Sequence, residues 1–359
     1  MPIDPILIVD DIRELTAVIN GRLKKPKPLS TVLGSGVMSK NLVTEGVQVE
    51  TLTGAYEMAP FVSKNGKASP ITRGNFEAYT IETPCIKIQA PLSDSDQLLQ
   101  RKAGTLNFAA DTDIMRVNAL ETLIEDADTM NEMIALREEW LWSQWLTGTI
   151  AYENADSNTK WSIDTKKPGA NTFTANPLWS DQNALIIADM KTVAGIIQND
   201  HQGPAPKIGL CGKNAAATLN MRIEKGWVTA IKTDSGVLAG NAQLVAEYDE
   251  LGMSYIGLIG GVSFWEVSGT LTDDAGVTTP IIREDYIEFF SNGPTAKADR
   301  TKFYGRKRGI TAMFEETAIG EKSARAWIDE DADAYIQEVQ TRPFFWAKHP
   351  QWYVSLKVI

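Results

Sequence analysis

The sequence predicts an α+β fold built around one long helix. Three patterns in the 359-residue chain support this expectation. A helical period continues without proline or glycine from Asp113 to Thr147, strand-like stretches precede and follow it, and helices alternate with strands between residues 178 and 299. The first pattern predicts a rigid rod, and the last predicts a compact α/β insertion.

The long helix is the element around which we expect the rest of the chain to be organised. Its apolar residues recur three or four positions apart, at Ile114, Val117, Leu120, Ile124, Ala127, Met130, Ile134, Leu141 and Trp145. Asp111 or Asp113 can cap its start, and Gly148 stands where a left-handed residue would end it. At ~1.5 Å per residue the helix would be roughly 50 Å long. That length is typical of a strut, although a coiled-coil segment or an ordinary core helix has the same pattern.

The residues before the helix predict an arm and a ribbon. Lys24-Lys25-Pro26-Lys27-Pro28 is a basic, extended piece whose prolines exclude a helix through its middle. Residues 47–52 alternate apolar and polar side chains, as a half-buried strand does, and 85–89 is a further strand. From Thr53 to Thr80, glycines and prolines separate short β-prone runs, which predicts a long two-stranded excursion. Such a ribbon is only marginally stable alone, so we expect it to lie on something else, for example an adjacent subunit.

The residues after the helix predict strands, then an α/β region, then strands again. We expect strands at 149–152, 160–164, 172–174, 207–211, 254–258, 262–267 and 280–290, and helices at 181–198 and 212–224. The last part returns to strands at 311–315, 326–328, 342–346 and 352–359, and 334–339 fits either a helix or a strand. Gly260 and Gly261 favour a hairpin turn over a dinucleotide-binding loop, because the flanking residues do not open a helix.

The composition argues against several classes of function. A formal charge of -11 is unsuited to a surface that wraps nucleic acid through its phosphates. No apolar run is long enough to span a membrane, and residues 1–10 lack the features of a signal peptide, so we expect a cytoplasmic location. Two cysteines and two histidines, far apart, favour neither a disulfide framework nor a metal site. Residues 209–214 lack the spacing of a phosphate loop, and no nucleophile elbow is present, so we expect no catalytic residue, cofactor or metal.

Several short sequence segments follow one another along the chain. They are Met58-Ala59-Pro60-Phe61-Val62, Arg73-Gly74-Asn75-Phe76, Pro84-Cys85-Ile86-Lys87, Met253-Ser254-Tyr255-Ile256-Gly257, Phe303-Tyr304-Gly305, Ser323-Ala324-Arg325-Ala326-Trp327 and Thr341-Arg342-Pro343-Phe344. In this order, with the acidic long helix among them, residues 40–359 resemble a tailed-phage major capsid protein, specifically the lambda-type major capsid protein E family.

The resemblance implies a subunit that self-assembles into hexamers and pentamers of an icosahedral shell around phage or prophage double-stranded DNA. It implies an N-terminal arm and following strand at 1–48, an extended loop at 49–81, a peripheral domain at 82–177 and 300–359 with the spine helix at 113–147, and an α/β axial domain at 178–299. Other implied partners are a scaffolding protein, a portal and a decoration protein. DNA would be enclosed without sequence-specific binding, in a virion capsid assembled in the bacterial cytoplasm.

Charged residues on the loop and the helix are our candidates for contacts between subunits. The basic residues of the loop are Lys64, Lys67 and Arg73. The acidic residues that we expect opposite them, on the long helix of a neighbour, are Glu121, Glu125 and Asp128. Exposed ion pairs contribute only ~0–1 kcal/mol each, so these contacts would set register more than affinity. Arg306 and Arg308 belong to a second basic run, for which a solvated face is the alternative.

Two other interpretations stay open from the sequence. An encapsulin-like nanocompartment shell would share the fold without packaging DNA. A soluble cytoplasmic α/β enzyme would fit the alternation between residues 178 and 299.

Overall fold

The structure is a computed structural model that describes residues 27–44, 46–53, 75–93, 112–154, 159–229, 251–273, 276–306, 321–329 and 334–359. Its first elements are helix α1 (Pro28–Gly34), strands β1 (Met38–Asn41), β2 (Gly46–Thr53), β3 (Asn75–Glu82) and β4 (Ile86–Ser93), and helix α2 (Thr112–Thr147). The predicted long helix is therefore confirmed as one continuous element of 36 residues.

Strands β2 and β3 form the predicted ribbon. They pair antiparallel from Gly46 opposite Glu82 to Thr53 opposite Asn75. On β2 the side chains of Val47 and Val49 are buried and those between them are exposed, which confirms the predicted alternation. Residues 54–74, which connect the two strands, lie outside the described residues.

The remaining elements follow in chain order. They are β5 (Thr149–Asn154), β6 (Thr159–Asp164), β7 (Thr172–Thr174), α3 (Ile186–Gly195), β8 (Ile208–Cys211), α4 (Lys213–Glu224), β9 (Met253–Ile259), β10 (Val262–Val267), β11 (Thr270–Thr272), β12 (Thr278–Pro280), β13 (Tyr286–Phe290), α5 (Pro294–Asp299), β14 (Arg300–Tyr304), β15 (Lys322–Asp329), β16 (Ala334–Thr341), β17 (Pro343–Ala347) and β18 (Val354–Lys357). The ambiguous segment 334–339 is a strand, and the predicted strand at 311–315 lies outside the described residues.

Helix α3 begins at Ile186, not at Asp181 as predicted. The Asp181 carboxylate accepts the amide N–H of Asn183 at 2.8 Å, which closes a turn. The carbonyl oxygens of Asp181 and Ala184 accept hydrogen bonds from the buried guanidinium of Arg222, at 2.5 and 2.9 Å. These bonds compete with the helical ladder for the same backbone groups, and a long-range partner such as Arg222 is not visible in a local pattern.

Two predicted strands are shorter in the structure. The stretch 280–290 is divided, because a turn separates β12 from β13 and the amide of Tyr286 donates to the carbonyl of Arg283 at 3.0 Å. In the stretch 352–359, Trp352 is the last residue of a 3₁₀ turn, Pro350–Trp352, and the strand starts only at Val354.

A six-stranded mixed sheet contains the α/β part of the chain, in the order β7-β18-β13-β8-β10-β9. Strand β8 is parallel to β10 and antiparallel to β13. Strands β9 and β10 form the predicted hairpin, whose turn residues Gly260 and Gly261 have φ angles of 56° and 85°. Glycine adopts this left-handed region without the cost that a Cβ atom imposes.

The six-stranded sheet differs from the predicted domain boundaries at two short strands. Strand β18 pairs antiparallel with β13 and parallel with β7, although residues 172–174 and 354–357 were both assigned to the peripheral segments. Val354, Leu356 and Val358 are fully buried in the core of this sheet. An apolar strand gains the same burial in either part of the fold, so its sequence does not identify the sheet that it joins.

The other strands form smaller sheets, with the orders β1-β14-β17 and β15-β16-β4 and the two-stranded pairs β2-β3, β5-β6 and β11-β12. Among the described residues, three apolar clusters stabilise the fold. One joins α1, β2, β17 and the carboxyl-terminal half of α2, and another joins the six-stranded sheet with α3 and α4. In the third, Ala127, Met130 and Ile134 of α2 pack on β15 and β16. The predicted apolar residues of α2 are therefore buried from Ala127 onwards. Ile124 is 46% exposed, because the cluster with β15 and β16 begins at Ala127, one turn later on the helix.

Candidate assembly surface

Helix α2 has one face in the core and another on the surface of the chain. Glu125 and Asp128 are exposed, as expected for candidates that contact a neighbour. Met133 and Leu136 are also exposed, at 51% and 39%, so the acidic face continues into an apolar patch. Glu121 belongs to the same helix, but its side chain lies outside the described residues.

Two other acidic residues of α2 point into the chain instead. Glu138 and Glu139 are buried, and a Glu138 carboxylate oxygen lies 3.0 Å from Nζ of Lys302 on β14. Arg300, at the start of the same strand, is 1% exposed and binds groups of its own chain. At these positions the acidic helix therefore pairs with a basic residue of its own chain.

Of the basic candidates, the structure describes only Arg306. Lys64, Lys67, Arg73 and Arg308 lie outside the described residues. Arg306 is half-buried, and its backbone N–H donates to the carbonyl of Thr44 at 3.0 Å, beside the end of β1. The contacts between subunits stay a prediction.

Strand β2 of the ribbon is fixed to the body by hydrogen bonds from backbone and side-chain donors. The amide of Leu52 donates to the carbonyl of Lys348 at 3.0 Å, and the side-chain amide of Gln351 donates to the carbonyl of Leu52 at 2.9 Å. The indole N–H of Trp346 donates to the carbonyl of Glu50 at 3.0 Å. The outer edge of β2 is thus covered, whereas β3 pairs only with β2 among the described strands and exposes Glu77, Ala78 and Thr80.

An open groove of about 650 Å³ lies between the ribbon and the β5-β6 hairpin. It is lined by residues 79–85 of the ribbon side, by 159–164 of the hairpin, and by Lys166 and Arg342. The Lys166 ammonium lies 4.6 Å from the ring centroid of Tyr79, which links the two walls by a cation-π contact.

An aromatic cluster joins the end of α2 to the β5-β6 hairpin. Trp140 meets Tyr152 edge-on, with ring centroids 6.1 Å apart, and Tyr152 lies 5.9 Å from Trp161. The Arg137 guanidinium lies 5.3 Å from both the Trp140 and Tyr152 rings. Aromatic side chains with an arginine are enriched at protein interfaces. Sequence reasoning did not select this cluster; the tryptophans at the end of the helix were the available signal.

A buried carboxylate fixes the sheet beneath α2. Glu338 on β16 accepts hydrogen bonds from Arg325 at 2.7 and 3.0 Å and from Gln89 at 2.8 Å, and lies 3.0 Å from Nζ of Lys87. Burial raises the pKa of the Glu338 carboxyl, but the hydrogen bonds from Arg325, Gln89 and Lys87 outweigh it, and the net pKa is lowered. The carboxylate therefore stays ionised and holds β4, β15 and β16 in register.

Metal-binding clusters and membrane-spanning helices are two other features that could indicate a function. The described ranges contain no group of three or more His, Cys, Asp or Glu side chains placed to hold a metal ion. None of their helices combines the length and the apolar character that a membrane span requires.

Comparison with solved structures defines the fold. A protein assigned as the capsid protein of a prophage in E. coli CFT073 is 19% identical, with a TM-score of 0.67, and the match covers 97% of this chain and 99% of that one. The mature capsid protein of bacteriophage PhiM1 is 11% identical, with a TM-score of 0.50, over 94% of this chain and 88% of that one. The fold is thus that of phage capsid subunits.

The family follows from the sequence itself. Residues 11–358 match the family described as phage major capsid protein E, and the chain belongs to that family. The search of curated proteins gave no match. The predicted fold class and family are confirmed.

Proposed function

We propose that the chain assembles with copies of itself into hexamers and pentamers, which close into an icosahedral shell around phage or prophage double-stranded DNA. The ribbon carries this proposal. Strand β2 is hydrogen-bonded to the body at Glu50 and Leu52, while β3 pairs only with β2 among the described strands and exposes Glu77, Ala78 and Thr80. A ribbon of two strands gains stability when another surface covers it, and a closed shell supplies that surface in every copy.

The surface that fits the ribbon best is the exposed face of α2 in a neighbour. The sequence of residues 54–74 contains Lys64, Lys67 and Arg73, and α2 exposes Glu125 and Asp128 beside the apolar patch of Met133 and Leu136. Each ion pair contributes little free energy, but the same contact recurs around every ring of subunits. The small contributions therefore add through multivalency.

The remaining assignments are part of the same proposal. The extended loop corresponds to 49–81, the axial domain to 178–299 with β7 and β18 added to its sheet, and the peripheral domain to the rest of 82–177 and 300–359. We propose a structural and non-enzymatic role, a virion capsid assembled in the host cytoplasm, and a scaffolding protein, a portal and a decoration protein as partners. The net charge of -11 supports enclosure of DNA without sequence-specific binding.

Electron microscopy and sizing chromatography test the proposal, on the chain expressed alone and with its genomic neighbours. We expect capsomer-sized rings, tubes or closed shells. A monodisperse monomer or dimer under all these conditions would contradict the proposal. Shells that hold an enzyme cargo in place of DNA would indicate a nanocompartment.

Charge reversal tests the proposed contact. In the variant Lys64→Glu with Lys67→Glu we expect the concentration needed for assembly to rise roughly tenfold, which corresponds to about 1.4 kcal/mol per subunit. Adding Glu125→Lys and Asp128→Lys to the same chain should restore assembly, since every copy supplies both surfaces. Lys191→Glu, at an exposed position of α3, is the control and should assemble normally. If the variant with all four substitutions does not recover assembly, this pairing between ribbon and helix is excluded, but assembly into a shell is not.

A further inference from the structure

Helix α1 is held against the body at both of its ends. At its start, the carboxylate of Glu139 on α2 accepts the backbone N–H of Leu29 at 2.5 Å and that of Ser30 at 2.9 Å. At its end, Arg300 Nη1 donates to the carbonyl of Leu33 at 3.1 Å. A carboxylate at the start and a cation at the end both complement the helix dipole. Leu29, Val32 and Leu33 are fully buried against α2 and the strands beside it, so α1 is docked on the body by apolar contacts as well.

The Glu139 carboxyl lies in a buried and charged environment. Two charged groups act on it directly, Lys27, which precedes α1, and Glu138 on α2, and the other charged groups around α1 are Glu132 on α2 and Arg300 and Lys302 on β14. Lys27 pairs with Glu132, and Lys302 pairs with Glu138. Most of this charge is therefore already compensated by other partners, and Glu139 itself has 0% of its surface exposed.

This environment changes the acidity of Glu139. Burial raises the pKa of its carboxyl to about 7, against the opposing effects of the Leu29 and Ser30 amides and of Lys27. If α1 separates from α2, water reaches the carboxyl and its pKa returns towards 4.5, the ordinary value. The docked helix therefore binds a proton more tightly than the separated helix does.

We propose that α1 is a pH-regulated anchor: mild acid tightens its attachment to α2, and a pH above neutrality loosens it. The anchor acts within one chain, so it does not depend on shell assembly, and each proposal can fail without the other.

The direction follows from linkage. The docked state has the raised pKa, so the stabilisation from proton binding is complete below pH 4.5 and is lost as the pH rises through 7. Between pH 5 and pH 8 the equilibrium constant for docking should fall on the order of 50-fold.

Hydrogen exchange tests the proposal on the full-length, unassembled chain. The protection of the Leu29 and Ser30 amides, corrected for the intrinsic pH dependence of exchange, is followed from pH 5 to pH 8. Amides of helix α4 report global opening in the same sample. In the wild type we expect protection at α1 to fall on the order of 50-fold across this range while α4 is unchanged.

The variant Glu139→Gln carries a neutral side chain of the same shape. Its profile should be flat from pH 5 to pH 8. Its protection should be lower overall, because the side-chain NH2 group cannot accept one of the two backbone N–H groups that the carboxylate accepts. Glu125→Gln, at an exposed position earlier on the same helix, removes a carboxylate away from this environment and should keep the wild-type dependence. A wild-type protection profile that does not change with pH overturns the proposal, and this measurement does not require that Glu139→Gln folds. A Glu139→Gln profile with the same pH dependence as the wild type also overturns the proposal.

Discussion

Replacement of Arg300 by methionine tests whether one buried guanidinium joins several parts of the fold. Its Nε donates to the hydroxyl of Tyr353 at 2.6 Å, and its Nη2 donates to the carbonyl of Ser291 at 2.5 Å. Its Nη1 donates to the carbonyl of Leu33 and to Oδ1 of Asn292, both at 3.1 Å. Methionine keeps the apolar stem and removes every donor, so the variant isolates the hydrogen bonds.

The expected loss can be worked out from these contacts. Four hydrogen bonds to a charged group contribute roughly 1.5–3 kcal/mol each, or about 6–12 kcal/mol in all. Against this, a guanidinium that is 1% exposed costs several kcal/mol to remove from water, and the variant is relieved of that cost. Since the acceptors left behind are buried too, we expect the free energy of unfolding to fall by about 3–5 kcal/mol.

Urea unfolding followed by tryptophan fluorescence measures the loss, because ten tryptophans are distributed through the chain. Hydrogen exchange should localise the change to α1 and to residues 291–292. The control is Lys160→Met, whose ammonium is 73% exposed and pairs with an equally accessible Glu153, and it should change stability by less than about 0.5 kcal/mol. A loss below about 1 kcal/mol for Arg300→Met would refute the reasoning.

Two further predictions concern α2 and the sheet beneath it. Ile134→Ala should lower the free energy of unfolding by about 2–5 kcal/mol in thermal or urea unfolding, because this side chain is fully buried, whereas the adjacent and exposed Met133→Ala should cost less than about 0.5 kcal/mol; equal effects would contradict the assigned faces. Glu338 has a lowered pKa, so its contribution to stability is present above its ordinary pKa of 4.5 and is lost as the pH falls below that value. Glu338→Gln should therefore be less stable at pH 7 and lose less stability on acidification than the wild type, and parallel pH profiles would count against the role of the carboxylate.

Local patterns predicted the parts of the fold that local physics decides. The helical period over 113–147 was sufficient to identify α2, and the Gly260-Gly261 pair was sufficient to identify the β9-β10 hairpin, because both depend on residues close in sequence. The alternation on β2 held for the same reason. The start of α3 was predicted too early because Arg222, far along the chain, takes carbonyl groups that a helix would otherwise use.

The candidate site was predicted less completely. Exposure at Glu125 and Asp128 follows from their positions on the polar side of a helical period. Nothing in the same period separates them from Glu138 and Glu139, whose burial depends on Lys302 and on the backbone of α1. Charge in a sequence thus identified a face of the helix, but the partner of each charge required the tertiary structure.

The position of β18 has a consequence for how the chain is made. Strand β7 pairs with β18, and their partners Thr172 and Ser355 are separated by more than half of the chain. Long-range pairing of this kind is slow to form, and the ribosome supplies residues at ~5–20 per second. The six-stranded sheet is incomplete until residues 354–357 leave the ribosome. A nascent chain therefore keeps part of its sheet edge open until that point, and we expect truncations before Val354 to aggregate, because their β13 edge is left without its partner.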